Sequence, residues 1–346
     1  ETIKRTQERR EGEDFAALHR SAYEAYLGGR YEAMLSLSRR ARVVAETGDE
    51  RAWSWIREAG AWDGLGHFAL SQEAVTRGLQ EAGLRPLTLL TLRGNLANSY
   101  LSLGHYTEAE GIATANLALL NANPDLDCQW PGARAFVLYV RGCARRMAAI
   151  ISQSGAERPL LMLAAEDLQD AVSLYQAISS SQSTRTYGGI GHTCEGALMT
   201  VEALAGDRAV EETLRAMHTA LDRVVEVDRA PAGDWLESYG WWCIFACQLA
   251  SRTLSDPDQL DRYLAIFTNK AHEIAERTGS WTLRERAFSL EHFRKQQAFA
   301  LSEPGRTLDA EDLRILTGAM GRFPLFRQRG WELIRTSSMG RDVTAQ

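Results

Sequence analysis

The sequence predicts an all-α protein built from about six to seven antiparallel helix pairs. Apolar residues recur at helical spacing through most of the 346 residues, and no segment shows the sustained period-two alternation of a β-strand. Gly29, Gly66 and Gly104 lie 37 and 38 residues apart, and an aromatic residue follows each of them by two positions. A fixed period of this length indicates stacked two-helix units, because one helix pair cannot bury its apolar faces alone.

The clearest unit spans residues 90–124 and contains two helices joined by a turn. Counted from its first residue, Ala97 and Ala109 fall at positions 8 and 20. Small side chains at these two positions let the helix backbones approach closely, while Tyr106 fills the space beside them. Gly104 is expected to end the first helix in the left-handed conformation, which glycine adopts readily.

This pattern resembles the tetratricopeptide repeat. The resemblance is specific from Phe15 to Pro124, looser from Ala133 to Ile178 and weak beyond. It implies a right-handed α-solenoid that binds a protein or peptide along its concave surface, but it does not identify the partner. The carboxylate clamp of this family is absent as such, because His19 and Tyr23 stand at its positions in the first unit.

The two earlier units repeat the same layout. The first unit places Ala22 at position 8, and the second places Ala59 there. Pro86 and Pro124 stand at the same offset at the ends of units two and three. Because the repeat of 37 to 38 residues exceeds the 34 residues usual in this family, we expect each second helix to be about one turn longer.

The later units lose the regular spacing but stay helical. We predict helices at residues 133–151, 161–178, 186–205, 209–227, 234–254 and 258–277. A seventh pair is expected to start at residue 281, with short closing helices near 309–317 and 326–334. We therefore divide the chain into a charged tail or frayed helix at residues 1–14, a repeat region at residues 15–303, and a capping segment at residues 304–346.

Composition narrows the class of protein. The formal net charge is −6, whereas a general nucleic-acid binder needs a basic face, so no direct nucleic-acid partner is predicted. Five cysteines, an odd number in a chain of this length, indicate reduced thiols and a cytoplasmic location. No apolar run approaches the length of a membrane span and no signal peptide is visible, so no membrane association is predicted.

The first helix of each unit is expected to line the concave surface. By the register of the repeats, Asn98, Arg141 and Arg145 lie on adjacent helices and face one channel, and we assign Asn95 to the same surface. An Asn amide pairs with a peptide backbone, and Arg binds a carboxylate through two parallel hydrogen bonds. The hypothesis is a groove for a peptide with an acidic side chain or a free C-terminus. The alternative is a solvated polar face with ordinary Arg–Glu pairs.

An aromatic cluster marks the first helix of the sixth pair. Trp235 and Trp242 are candidates for a secondary binding surface, because the aromatic residues of this helix cannot all point at one neighbour. The alternative, core packing between stacked helices, is the more usual role of such residues.

No motif indicates a catalytic, cofactor or metal site. The segment Gly188–Cys194 partly matches a dinucleotide-binding fingerprint, but no strand is predicted before it, and we expect a flexible loop entering a helix. Cys243 and Cys247 share one helical face, and we expect them to pack as small apolar residues rather than to bind a metal.

These observations lead to a non-enzymatic scaffold that binds a protein or peptide. One alternative is the sensor domain of a larger bacterial transcriptional or signalling protein. Another is an all-α enzyme or small-molecule binder with a pocket inside the curve of helices. Whether the chain forms a homo-oligomer is left open at this stage.

Overall fold

The computed structural model describes residues 14–151, 157–181, 188–226, 234–280, 283–284 and 286–287. Helices account for all regular structure in these ranges, and no strand occurs there, so the predicted all-α class is confirmed. The predicted tail at residues 1–13, most of the seventh pair and the capping segment at residues 304–346 lie outside the described residues.

We number the helices in chain order. They are α1 (Phe15–Leu27), α2 (Tyr31–Val44), α3 (Gly48–Gly64), α4 (Phe68–Leu79), α5 (Pro86–Leu103), α6 (Tyr106–Ala122), α7 (Asp125–Gln129), α8 (Ala133–Ile151), α9 (Glu157–Ser181), α10 (Gly188–Ala205), α11 (Val210–Glu226), α12 (Asp234–Thr253) and α13 (Pro257–Thr278). None of these helices combines the length and the apolar character that crossing a bilayer requires.

Local sequence explains where the helices of the early units begin and end. The Thr47 hydroxyl accepts from the Glu50 backbone N–H, and the Glu50 carboxylate accepts from Thr47 in return, so α3 begins with a capping box. Pro86 occupies the first turn of α5, where its missing N–H leaves no hydrogen bond unmade. Gly104 ends α5 with a φ of 84°, as the turn pattern predicted.

The helices that account for the longer repeat period are not all the ones we predicted. In the second unit the first helix, α3, has 17 residues, whereas the second helix, α4, has only 12. In the third unit α5 has 18 residues and α6 has 17. The expectation that each second helix carries the extra turn is therefore wrong for the second unit, where the extra residues extend the first helix.

Helices α1, α3, α5, α8, α10 and α12 form an inner layer, in which each helix contacts the next. Helices α2, α4, α6 and α9 lie outside this layer, and each packs both on its own partner and on the following inner helix. Small residues permit the close approach, since Ala22, Ala59, Ala97 and Ala109 are all buried.

The last described helices return to the first helix pair. The Tyr31 hydroxyl lies 3.4 Å from Glu237 Oε2, which brings α2 to the start of α12. Beside this contact, Gly29 has a φ of 66°, and a Cβ atom added to it would lie 3.3 Å from the Thr278 carbonyl oxygen at the end of α13. Glycine is thus favoured here both by its backbone conformation and by the close approach.

Candidate ligand-binding cavity

The inner helices surround a cavity of about 550 Å³. Residues from α1, α3, α5, α8 and α12 line it, and Arg286 lines it from beyond α13. Its volume falls within the range of about 300–1,000 Å³ that is typical of small-ligand sites. This cavity is therefore the candidate site.

Aromatic side chains dominate the cavity wall. They include Tyr23, Tyr26, Trp53, Phe136, Trp241 and Phe245. Aromatic rings offer large apolar area at low conformational-entropy cost, and Tyr and Trp add a polar edge. Such a wall suits a ligand with apolar or aromatic groups.

Asn95 and Asn98 lie on the part of the cavity wall that α5 forms. Neither amide forms a hydrogen bond with any residue in the described ranges. Their amide atoms also do not occur among the fully buried polar atoms that lack a partner, so they remain accessible within the cavity. These two amides are available to a ligand.

Arg141 and Arg145 do not line this cavity. Arg141 binds Asp167 through two hydrogen bonds of 2.9 and 2.6 Å, and Arg145 Nη1 donates to the same carboxylate at 2.9 Å. Arg145 Nε also donates to Glu110 at 2.7 Å. The face of α8 that carries both Arg residues thus packs towards α6 and α9. The structure separates them from Asn95 and Asn98, and the alternative of ordinary Arg–acid pairs describes their contacts.

Trp242 is buried rather than exposed. Its side chain is 6% exposed, and its indole N–H donates to the His192 carbonyl oxygen at 2.5 Å. The indole packs directly over Gly196 of α10. It therefore belongs to the core between α10 and α12 and offers no secondary surface, while the side chain of Trp235 lies outside the described part.

The remaining sequence motifs also lie in helices. Residues 188–194 form the first turns of α10 rather than a loop, which corrects our expectation for the Gly-rich segment. Cys243 and Cys247 are buried free thiols, and burial raises the pKa of both. No group of three His, Cys, Asp or Glu side chains that could hold a metal ion occurs among the described residues.

Arg146, one residue beyond the predicted Arg145, lines the cavity. Its side chain is 1% exposed. Nε donates to Thr200 Oγ1 and Nη1 to Gln248 Oε1, both at 2.9 Å, and the guanidinium lies 4.8 Å from the centre of the Phe245 ring. Burial lowers the pKa of Arg146 to about 10, so the group is charged at neutral pH.

A second cation, Arg57, lies half-buried on the α3 wall. Its guanidinium lies 4.7 Å from the centre of the Tyr23 ring, and Nη2 is 3.2 Å from His19 Nε2. Burial and the positive charge of Arg57 together lower the pKa of His19 to about 4. His19 is therefore neutral at physiological pH and can accept a hydrogen bond from Arg57.

Two carboxylates and a third Arg occupy the end of the cavity where the chain returns to its first helix pair. Burial raises the pKa of Asp63 to about 7. The charge of Arg286 lowers this pKa, and the charge of Glu237 raises it. Burial also raises the pKa of Glu237, although Ser280 and Tyr31 donate hydrogen bonds to its oxygens at 2.8 and 3.4 Å. The Arg286 guanidinium lies 4.6 Å from the centre of the Trp241 ring.

Comparison with known proteins finds no matching protein-family model and no curated protein of significant similarity. The cavity combines apolar and aromatic walls with two accessible amides and three guanidinium groups.

Proposed function

We propose that this protein is a non-enzymatic, tetratricopeptide-like α-solenoid that binds a short peptide segment in its interior cavity. The observation that supports this proposal is the pair of accessible amides, Asn95 and Asn98, on a wall that also carries many aromatic side chains. Polar groups placed singly in an apolar cavity orient a ligand, while the apolar wall supplies most of the buried area.

The spacing of the two amides suits an extended backbone. Side chains three residues apart on a helix have Cβ atoms about 5–6 Å apart. An extended chain presents equivalent N–H and C=O groups every second residue, about 6.8 Å apart, and both side chains can adjust over this difference. Since each Asn amide carries both donors and an acceptor, each can pair with one peptide group.

The aromatic wall would accept the side chains of such a peptide. Trp53 and Phe136 line the cavity together with Asn95 and Asn98, while Trp241 and Phe245 lie on α12. Apolar side chains of the ligand would contact these rings, at about 25 cal/mol for each Å² removed from water. Backbone pairing would then fix the register, and the rings would select the sequence.

Peptide selection tests this proposal directly. Wild-type protein would be used to enrich binders from a random heptapeptide library, and the enriched peptides would be measured by fluorescence polarisation. We expect binding to weaken at least tenfold in the Asn95→Ala, Asn98→Ala double variant. The matched control is Asn121→Ala, which removes an exposed amide of α6 that bonds Arg134 outside the cavity.

Two outcomes would count against the peptide. One is a library that yields no enriched sequence, and the other is an enriched peptide that binds the double variant as tightly as wild type. A small organic ligand is the second candidate, and the cavity volume of about 550 Å³ favours it. Mass spectrometry of the denatured protein after purification from its source would reveal a retained organic molecule in that case.

A further inference from the structure

We propose that the ligand of this cavity carries a carboxylate, which Arg146 binds, with Arg57 as a second cation in the same cavity. This inference rests on the proposed function, since it assigns the chemistry of the bound peptide. The sequence-based hypothesis assigned the carboxylate to Arg141 and Arg145. Both of these residues form ion pairs with Asp167 instead.

Arg146 is a buried charge without an opposite charge beside it. Its described partners are a hydroxyl, an amide, the Met147 sulfur and the face of the Phe245 ring, all of which are neutral. Its Nη2 is buried and has no hydrogen-bond partner. A buried ion normally requires a counterion, because removing it from water is costly. This guanidinium therefore has both an unused donor and an unbalanced charge.

Neighbouring Arg residues show how the chain usually balances such charges. Arg141 and Arg145 share Asp167, and Arg42 Nη1 donates to Glu58 at 2.7 Å. Each of these pairs includes a carboxylate that is itself buried. Arg146 is less exposed than any of the three Arg residues and yet contacts no carboxylate in the described structure. Its counterion is therefore expected to come from the ligand.

Arg57, a half-buried residue of the cavity wall, also lacks a described carboxylate partner. It contacts neutral His19 and the faces of Tyr23 and Trp53, and its Nε is buried without a hydrogen-bond partner. Two unbalanced guanidinium groups thus line one cavity. Two such groups in the same cavity give it a positive potential that favours an anion.

The acidic residues of the cavity do not cancel this charge. Asp63 and Glu237 lie with Arg286 at the end where the chain returns, and Tyr31 and Ser280 also contact that cluster. With both carboxylates ionised, three Arg residues and two acids leave a formal charge of +1. Burial favours the neutral form of both acids, which makes the interior more positive.

The geometry also indicates what lies next to the anionic group. Arg146 stacks on Phe245, and both residues line the cavity, so a carboxylate bound by this guanidinium would adjoin an apolar surface. A planar guanidinium binds a carboxylate with charge-assisted hydrogen bonds, about twice as strong as neutral ones. The ligand is therefore expected to combine a carboxylate with an aromatic or apolar body.

A matched pair of fluorescent probes tests the inference without knowledge of the natural peptide. 1-Anilinonaphthalene-8-sulfonate carries an anionic group on an aromatic body, and N-phenyl-1-naphthylamine has nearly the same body without the charge. We expect wild-type protein to bind the anionic probe at least tenfold more tightly. Arg146→Met should remove most of this preference and leave the neutral probe bound, and Arg57→Met should reduce the preference to a smaller extent.

Control variants test whether the preference for the anionic probe arises in the cavity. Arg215→Met removes an exposed Arg of α11 and should leave the preference unchanged. Asn98→Trp fills the cavity and should weaken both probes. Because Met resembles Arg in length and brings no buried charge, Arg146→Met should fold with equal or higher thermal stability. If it does not fold, Arg146→Lys keeps the charge and should retain part of the preference.

Carboxylate recognition is then tested on a peptide selected as described above. The free acid should bind more tightly than the form with its carboxyl groups amidated, and Arg146→Met should remove this difference. Equal binding of both probes to wild type, or equal losses in Arg146→Met and Arg215→Met, would overturn the anion site while leaving peptide binding intact. Loss of peptide binding with retained probe preference would instead refute the proposed function.

Discussion

The hydroxyl of Tyr31 donates to Oε2 of Glu237 across 206 positions of the chain, at 3.4 Å. The other oxygen of the same carboxylate accepts from Ser280 at 2.8 Å, just beyond α13. One buried side chain of α12 thus contacts both the first helix pair and the segment that follows the last described helix. Tyr31 and Glu237 both line the cavity, so this arrangement forms part of its wall.

The Tyr31–Glu237 contact should appear as an energetic coupling. In a double-mutant cycle of Tyr31→Phe and Glu237→Gln, urea unfolding should give an interaction free energy of about 0.5–1 kcal/mol, since a single hydrogen bond contributes about that much. Phe keeps the ring that packs against Gly64, so only the hydroxyl is removed. The same cycle with Tyr23→Phe should give no coupling, and equal values in both cycles would contradict the contact.

The ion pairs of Arg145 should contribute to stability rather than to ligand binding. Arg145→Met would remove one of the two cations that neutralise Asp167, whose side chain is 4% exposed. We expect the free energy of unfolding to fall by about 1–3 kcal/mol, because a buried carboxylate loses a charge-assisted bond. Arg77→Met breaks an exposed pair with Glu73 and should change stability by less than about 0.5 kcal/mol. A fall in peptide affinity with unchanged stability would reverse this assignment.

The cavity carboxyl of Asp63 should make stability depend on pH. Its pKa is about 7 in the folded protein, against 3.8 for an ordinary Asp, so the folded state binds more protons between these values. Stability from this group is complete below about pH 4 and decreases as the pH rises to about 7. Asp63→Asn removes this dependence. As the pH rises across that range, the free energy of unfolding of the variant should increase by about 1–3 kcal/mol relative to that of wild type, because one pKa unit corresponds to 1.36 kcal/mol.

His19 also contributes to the pH dependence of stability. Its pKa is lowered to about 4, so the unfolded chain binds the extra proton and stability rises with pH between about 4 and 6.5. This slope opposes that of Asp63 and is present in both proteins. Denaturant titrations at several pH values should therefore be compared as differences between Asp63→Asn and wild type. A difference that is constant from pH 4 to 8 would show that Asp63 has an ordinary pKa.

Two glycines within helices should respond oppositely to the same substitution. In Gly196→Ala the new methyl would lie 2.4 Å from Cδ1 of Trp242, so the indole must shift and its bond to His192 is disturbed. We expect a loss of about 1–3 kcal/mol from this overpacking. A methyl at Gly111 of α6 would contact nothing within 4 Å, and Gly111→Ala should stabilise by about 0.5–1 kcal/mol. Thermal unfolding of both variants would measure this contrast.

The sequence was sufficient to predict the helices because their signals are local. The helix at Ala133–Ile151 has the predicted bounds, and α11 to α13 agree with the prediction within two residues at each end. Helix α9 is longer than predicted, and the first turns of α10 replace an expected loop. Periodicity, capping residues and turn glycines act over a few positions, so they can be identified without knowing the fold. The same local register assigned Asn98 to the concave face of its unit, and Asn98 and Asn95 both lie on the cavity wall.

The charges of the cavity could not be predicted in the same way. Arg145 and Arg146 are adjacent, and a rotation of about 100° between them decides which one faces Asp167 and which one faces the interior. The fourth unit departs from the repeat spacing, so its register was uncertain by that amount. The cluster of Asp63, Glu237 and Arg286 joins residues that are far apart in the sequence. Local sequence patterns do not predict contacts of this kind.

The return of α12 to α2 has a consequence for folding kinetics. Neighbouring helix pairs contact residues close in sequence, so they can nucleate and stack quickly, whereas the Tyr31–Glu237 contact requires all the intervening helices to be in place. We infer that this contact forms last during refolding and is the first to break when the native structure opens. Tyr31 and Glu237 both line the cavity, so a ligand that contacts them should dissociate faster when their contact is removed.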